Sequence, residues 1–170
     1  MIATLLQAAG KPLVLGQWAE LARAWSAEDV SAYASVAGDA NPLHLDPEFA
    51  AKTRFGQRIA HGMLSAGLFG TTLACHIPGA VYVKQDLEFT APVYLDETVV
   101  ARIEIASLKR RFVDFTTTAF VVDDDVALEL ERLECASDDR QGAQVVAEAV
   151  GTGRTKQVIT GTARIMVPAR

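Results

Sequence analysis

The sequence predicts an α+β fold in which one long helix is wrapped by a curved antiparallel β-sheet. Three observations carry that prediction. Short helical segments come first, between Ser26 and Lys52. A single stretch from His61 to about Cys75 is apolar or small at nearly every position. After Pro78-Gly79 the apolar period changes to two, and strands follow. Helices and strands that segregate along the chain point to α+β rather than to alternating βαβ units. The 170 residues suit one domain, read here as residues 1–170 with an atypical insertion at about 123–156.

The elements follow in order. Residues 1–16 form a lead-in that ends at Gly16. Trp18 to Trp25 combines apolar positions with a polar face and reads as a first strand. Ser26, followed three residues on by Asp29, is an N-cap signature. Val30, Tyr33, Ala34 and Ala37 then recur at helical spacing until Gly38 stops the helix. Asp39 to Leu45 contains Asn-Pro and reads as loop. Asp46-Pro47 opens a short helix over Glu48 to Lys52, and residues 53–60 return to loop. The His61–Cys75 helix, apolar on every side, belongs in the middle of the fold. Residues 81–90, 97–107 and 109–122 are predicted strands, and Val158 to Val167 is the last. Asp123-Asp124-Asp125 reads as a hairpin turn. The long stretch after it is either a mobile insertion or an extra hairpin.

Charge excludes one class of function. The net charge is −5, from 16 basic and 21 acidic residues, so no nucleic-acid partner is expected. Lys109-Arg110-Arg111 is a local exception, either a solvated strand end or a contact for the phosphates of an acyl carrier. Cys75 and Cys135 have no zinc-like pairing and form no disulfide framework, so a reducing compartment is the default. No apolar run approaches membrane-spanning length. Met1 to Gly10 lacks the basic n-region of a signal peptide. A cytoplasmic location is expected, with a mitochondrial one as the alternative.

Chemistry concentrates in two places. Asp39, Asn41 and His44 lie within six residues, on a turn stiffened by Pro42. An acid and an imidazole this close can share one water for general acid–base work. The competing reading makes Asp39 and Asn41 ordinary turn formers and His44 a polar contact. The second place is His61-Gly62, at the start of the buried helix. The first amides of a helix point outward without partners and stabilise a carbonyl oxygen gaining charge. Glycine there either admits a substrate or permits close helix–sheet packing. His61 itself reads as a ligand, a cap or a core histidine. The histidines at 44, 61 and 76 show no zinc spacing, so no metal is expected. Neither a dinucleotide fingerprint nor a Gly-x-Ser-x-Gly elbow occurs, and no cofactor is expected.

Taken together, Gly38-Asp39-Ala40-Asn41-Pro42-Leu43-His44-Leu45-Asp46, Arg54-Phe55-Gly56 and Ile59-Ala60-His61-Gly62-Met63-Leu64 closely resemble the MaoC-like hydratases, the (R)-specific enoyl-CoA hydratase group. The likeness runs roughly over residues 15–122 and 157–168. It implies a hot-dog fold, homodimers or higher homo-oligomers with the pocket near the interface, and (R)-specific hydration of trans-2-enoyl-CoA. It further implies roles for four residues. Asp39 and His44 hold and activate the water, Asn41 orients them, and the Gly62 amide binds the thioester oxygen. Gly70 stands where some relatives carry a serine. Three alternatives stay open: a 3-hydroxyacyl-[acyl-carrier-protein] dehydratase, a hot-dog thioesterase, and a non-catalytic acyl-binding subunit.

Overall fold

The computed structural model describes residues 12–136 and 148–168, with backbone alone for 131–136. Strand β1 (Trp18–Ala24) leads into helix α1 (Ala27–Ala37), then the short helices α2 (Pro42–Leu45) and α3 (Pro47–Ala51). Helix α4 (Gly62–His76) follows, then strands β2 (Val81–Phe89), β3 (Thr98–Lys109) and β4 (Phe112–Val122). Helix α5 (Asp124–Ala136) precedes the last strand β5 (Thr155–Met166). The strands form one sheet in the order β1-β3-β4-β5-β2. Every pairing is antiparallel.

Local chemistry explains the ends of α1. Ser26 and Asp29 form a reciprocal capping box, and Gly38 closes the helix at φ 77° with its N–H on Ala34 O. That left-handed residue turns the chain sharply, so Asp39 leaves the helix axis.

Helix α4 lies on the inner face of the sheet, against β1, β3 and β4. Leu68, Phe69 and Leu73 enter the main core with Ile103, Phe115 and Ile165, all at most 4% exposed. The expectation that α4 is enclosed on every side fails within one chain. Gly67, Thr71, Ala74 and Cys75 are exposed, and Met63 is 56% exposed. Apolar character all round a helix does not say how many sides one chain covers.

A second, smaller core lies on the outer face. Val126 and Leu130 of α5 pack with Val100, Val122 and Ala149. This corrects the expected hairpin turn at Asp123-Asp124-Asp125. Asp124 and Asp125 form the first turn of α5, where carboxylates meet the positive end of the helix dipole. The segment 124–136 is therefore neither a mobile insertion nor a hairpin, and another helical turn runs over 148–151. Residues 137–147 and the lead-in to residue 11 lie outside the described residues.

Glu20 also sits on the outer face, directly opposite Arg102 in the β1–β3 register. Its carboxylate accepts from Arg102 Nε at 2.6 Å, while its second oxygen is buried with no partner among the described residues. Burial pushes this carboxyl up to about 7, against the pull of Arg102.

Candidate functional site

The site begins where α1 ends. Asp39 lies just beyond Gly38, and its Oδ1 accepts from Asn41 N at 3.3 Å. Asn41 in turn accepts from Leu43 N and serves as N-cap of α2, with Pro42 at the first helical position. The Asn-Pro pair expected to make a loop therefore starts a one-turn helix. Cap and proline both match a helix start as well as they match a turn. Asn41 is exposed and bonds to neither imidazole; it bears on His44 through the backbone of α2.

Helix α2 carries His44 inward until it is 9% exposed. Its Nδ1 lies 2.8 Å from Ile59 O. A carbonyl only accepts, so Nδ1 carries the proton, and in the neutral ring Nε2 keeps a lone pair. Ile59 is itself held by a bridge to Tyr94, and Ala60 N donates to Val93 O at 2.8 Å. The histidine is thus referenced to a fixed strand-like segment rather than to a free loop.

His61 and Gly62 arrive from the other side. His61 is the N-cap residue of α4 but makes no side-chain cap. Its Nε2 donates to Asp39 O at 3.0 Å and lies 4.0 Å from Asp39 Oδ2. Its ring lies against His44 with centroids 3.8 Å apart and planes tilted by 32°, and meets Tyr33 at 4.9 Å. Gly62 follows at the first helical position, exposed, and no bond among the described residues uses its amide. One turn on, Ser65 Oγ accepts from Trp25 Nε1 at 3.0 Å, tying the end of β1 to α4.

These groups line one cavity of about 400 Å³. Asp39, His44 and Gly62 share it with His61, Arg54 and Phe89; Asn41 lies outside the lining. Sequence reasoning left His61 undecided, quoted Arg54 only within the resemblance, and gave no site role to Tyr33 or Phe89. Tyr33 carried only a helical-spacing signal. Phe89 ends a strand whose partner surface the sequence does not reveal.

One donor atom each from Asp39, His44 and His61 lies within 4.8 Å of the others. A water hydrogen-bonded to two groups at ~2.8 Å joins atoms about 4.6 Å apart. A tetrahedral zinc with ligands at ~2.0–2.1 Å needs them about 3.3 Å apart. His61 Nε2 and Asp39 Oδ2 are 4.0 Å apart, and that nitrogen already bonds a carbonyl. At 4.0 Å the pair falls between the two spacings, and the proton that His61 Nε2 donates to Asp39 O leaves that nitrogen no lone pair for a metal.

Comparison with known proteins places the chain in one family. The profile of the family described as MaoC like domain matches residues 6–127. A 3-hydroxybutyryl-CoA dehydratase of Methylorubrum extorquens is 41% identical over 133 residues, 76% of this chain and 83% of that protein. A mitochondrial 3-hydroxyacyl-[acyl-carrier-protein] dehydratase of Arabidopsis thaliana is 42% identical over 102 residues, 58% of this chain; the match spans 61% of that relative's length. The solved structure of the (R)-hydratase from A. caviae involved in PHA biosynthesis superposes with a TM-score of 0.71 at 31% identity. That superposition covers 94% of this chain and all 100% of the other, and the shared fold is the hot-dog arrangement of a central helix and curved sheet.

Proposed function

Since the chain belongs to the MaoC-like family, with the family profile covering residues 6–127, we propose that it is a hydro-lyase that hydrates trans-2-enoyl-CoA to (R)-3-hydroxyacyl-CoA. One observation carries the reading: Asp39, His44 and Gly62, whose amide has no partner among the described residues, line one cavity. The tautomer set by Ile59 gives His44 Nε2 the lone pair that takes a proton from water as its oxygen bonds to the β-carbon. Asp39 accepts a hydrogen bond from the O–H that stays on that oxygen and balances the charge on the imidazolium. The Gly62 N–H holds the thioester oxygen as the enolate forms, a donor worth about 2.7–4 kcal/mol. The pair then returns a proton to the α-carbon, and dehydration is the same path reversed.

A second reading keeps the chemistry and changes the carrier. The Arabidopsis relative is named for substrates on acyl carrier protein. Within one chain the basic tip Lys109-Arg110-Arg111 sits far from the cavity. Lys109 pairs with Phe112, which aligns with Met166 and so with Val81, whereas the cavity lies at the Phe89 end of β2. We further propose a homodimer paired along the exposed β2 edge, where Val81 and Val83 are 52% and 50% exposed. An antiparallel pair of β2 strands sets the Val81 end of one copy against the Phe89 end of the other. That brings each basic tip toward the partner's cavity. We place the chain in the cytoplasm, with the mitochondrion as alternative. No described helix is long and apolar enough to cross a membrane.

The test is a side-by-side assay of enoyl-CoA hydration and of 3-hydroxyacyl-carrier dehydration. Faster turnover on CoA supports the first reading, and faster turnover on the carrier supports the second. Release of free thiol without hydration would instead make the protein a thioesterase.

A further inference from the structure

We propose that His61 is a positioning residue that sets the spacing between the acid–base pair and the oxyanion donor. The inference rests on the hydration reading above and adds a residue to it. Three contacts meet on this one side chain. Nε2–H donates to Asp39 O, the ring faces His44 at 3.8 Å, and the backbone leads directly into Gly62. Among the described residues this is the one hydrogen bond that ties the 38–41 turn to the start of α4; the other bonds in the turn are local.

The ring is poorly explained by packing alone. His61 is 2% exposed, and its buried Nδ1 has no partner among the described residues. A buried polar atom with no partner is unfavourable, and an apolar ring of similar shape would avoid it. The side chain also leaves the helix uncapped, although its position is the N-cap. Both features are accounted for if the imidazole is retained for what Nε2 and the ring face do. Nε2 fixes the backbone of Asp39. The ring face limits the swing of His44, which Ile59 O already holds at Nδ1. Together they hold His44 and Asp39 in the lining of the cavity that Gly62 also borders.

Two substitutions separate the parts. His61→Phe keeps an aromatic face against His44 and removes the donor. His61→Gln keeps an N–H near the Nε2 position and removes the ring. The expected result for His61→Phe is a folded protein with kcat lower by about 10–100-fold, because misplacement of about 1 Å costs that much. Its KM for crotonyl-CoA should stay within about twofold, as the misplaced acid–base pair weakens the transition state and not the binding of substrate. His61→Gln should recover about tenfold of the lost kcat by restoring the tie to Asp39. Wild-type kcat in folded His61→Phe would overturn the inference, as would a loss confined to KM. Should His61→Phe not fold, a folded His61→Gln as inactive as Asp39→Asn overturns it, and failure of both to fold marks a purely structural residue. The two readings fail differently. An inert wild-type protein sinks the hydratase reading, whereas an active wild type with an active His61→Phe sinks only the role of His61.

Discussion

A Cβ added to Gly62 would lie 2.7 Å from Cε1 of Phe89, closer than carbon atoms approach without displacement. Phe89 is 50% exposed and ends β2, so its ring can move where a backbone atom could not. Gly62→Ala should therefore fold with a melting temperature near that of wild type. The displaced ring borders the cavity that takes the thioester, so kcat/KM for hydration should fall by about tenfold or more. Adding Phe89→Leu should recover part of that loss. Steady-state kinetics of the single and double variants decide the matter; equal activity in Gly62→Ala and wild type would show that the close approach is packing only.

Asp39 is half exposed, and His44, though buried, is not part of the apolar core cluster. Asp39→Asn and His44→Ala should each keep the wild-type circular dichroism spectrum. Each should lose most hydration of crotonyl-CoA, on the order of 10²–10⁴-fold in kcat. Full activity in either folded variant contradicts the proposed mechanism.

Glu20 predicts a pH dependence of stability. Its carboxyl sits at about 7 in the folded chain, above the ordinary 4.5, because burial outweighs Arg102. The folded state then holds a proton that the unfolded chain releases between these values. This contribution is full below about pH 4.5, declines as pH rises to about 7, and is absent above it, for a total of about 3 kcal/mol. Thermal melts from pH 5 to 8 should show a steeper decline in wild type than in Glu20→Gln. Parallel profiles would mean that the pair with Arg102 keeps Glu20 ionised throughout.

Ser65 is fully buried and accepts the Trp25 indole N–H. Ser65→Ala leaves that donor without a partner, a cost of about 1–3 kcal/mol. The melting temperature should drop by about 2–4 °C for each kcal/mol in a chain of this size. A shift in the tryptophan emission would accompany it, and an unchanged melt would show that Trp25 finds another acceptor.

Much of this was legible from residue types alone. The capping box at Ser26 and Asp29, the stop at Gly38 and the period-two strands are local signals, and each appears as expected. What was hidden is tertiary. Asn41-Pro42 satisfies both a turn and a helix start, and only the inward pull on His44 selects the helix. Three aspartates read as a turn until an apolar outer face, with Val100 and Val122, gives α5 something to cover. The ring of His61 points at Asp39 because α4 meets the 38–41 turn at one register, which no spacing along the chain specifies. The last strand begins at Thr155, three residues before the alternation at Val158 makes it visible.

The central claim, that Asp39 and His44 add water to an enoyl thioester, is tested most directly by one measurement. Purified wild-type protein and Asp39→Asn are given crotonyl-CoA, and the chirality of any 3-hydroxybutyryl product is determined. The account predicts rapid formation of the (R)-product by wild type and almost none by Asp39→Asn. A wild-type protein that yields no 3-hydroxybutyryl-CoA, or yields the (S)-product, would contradict it.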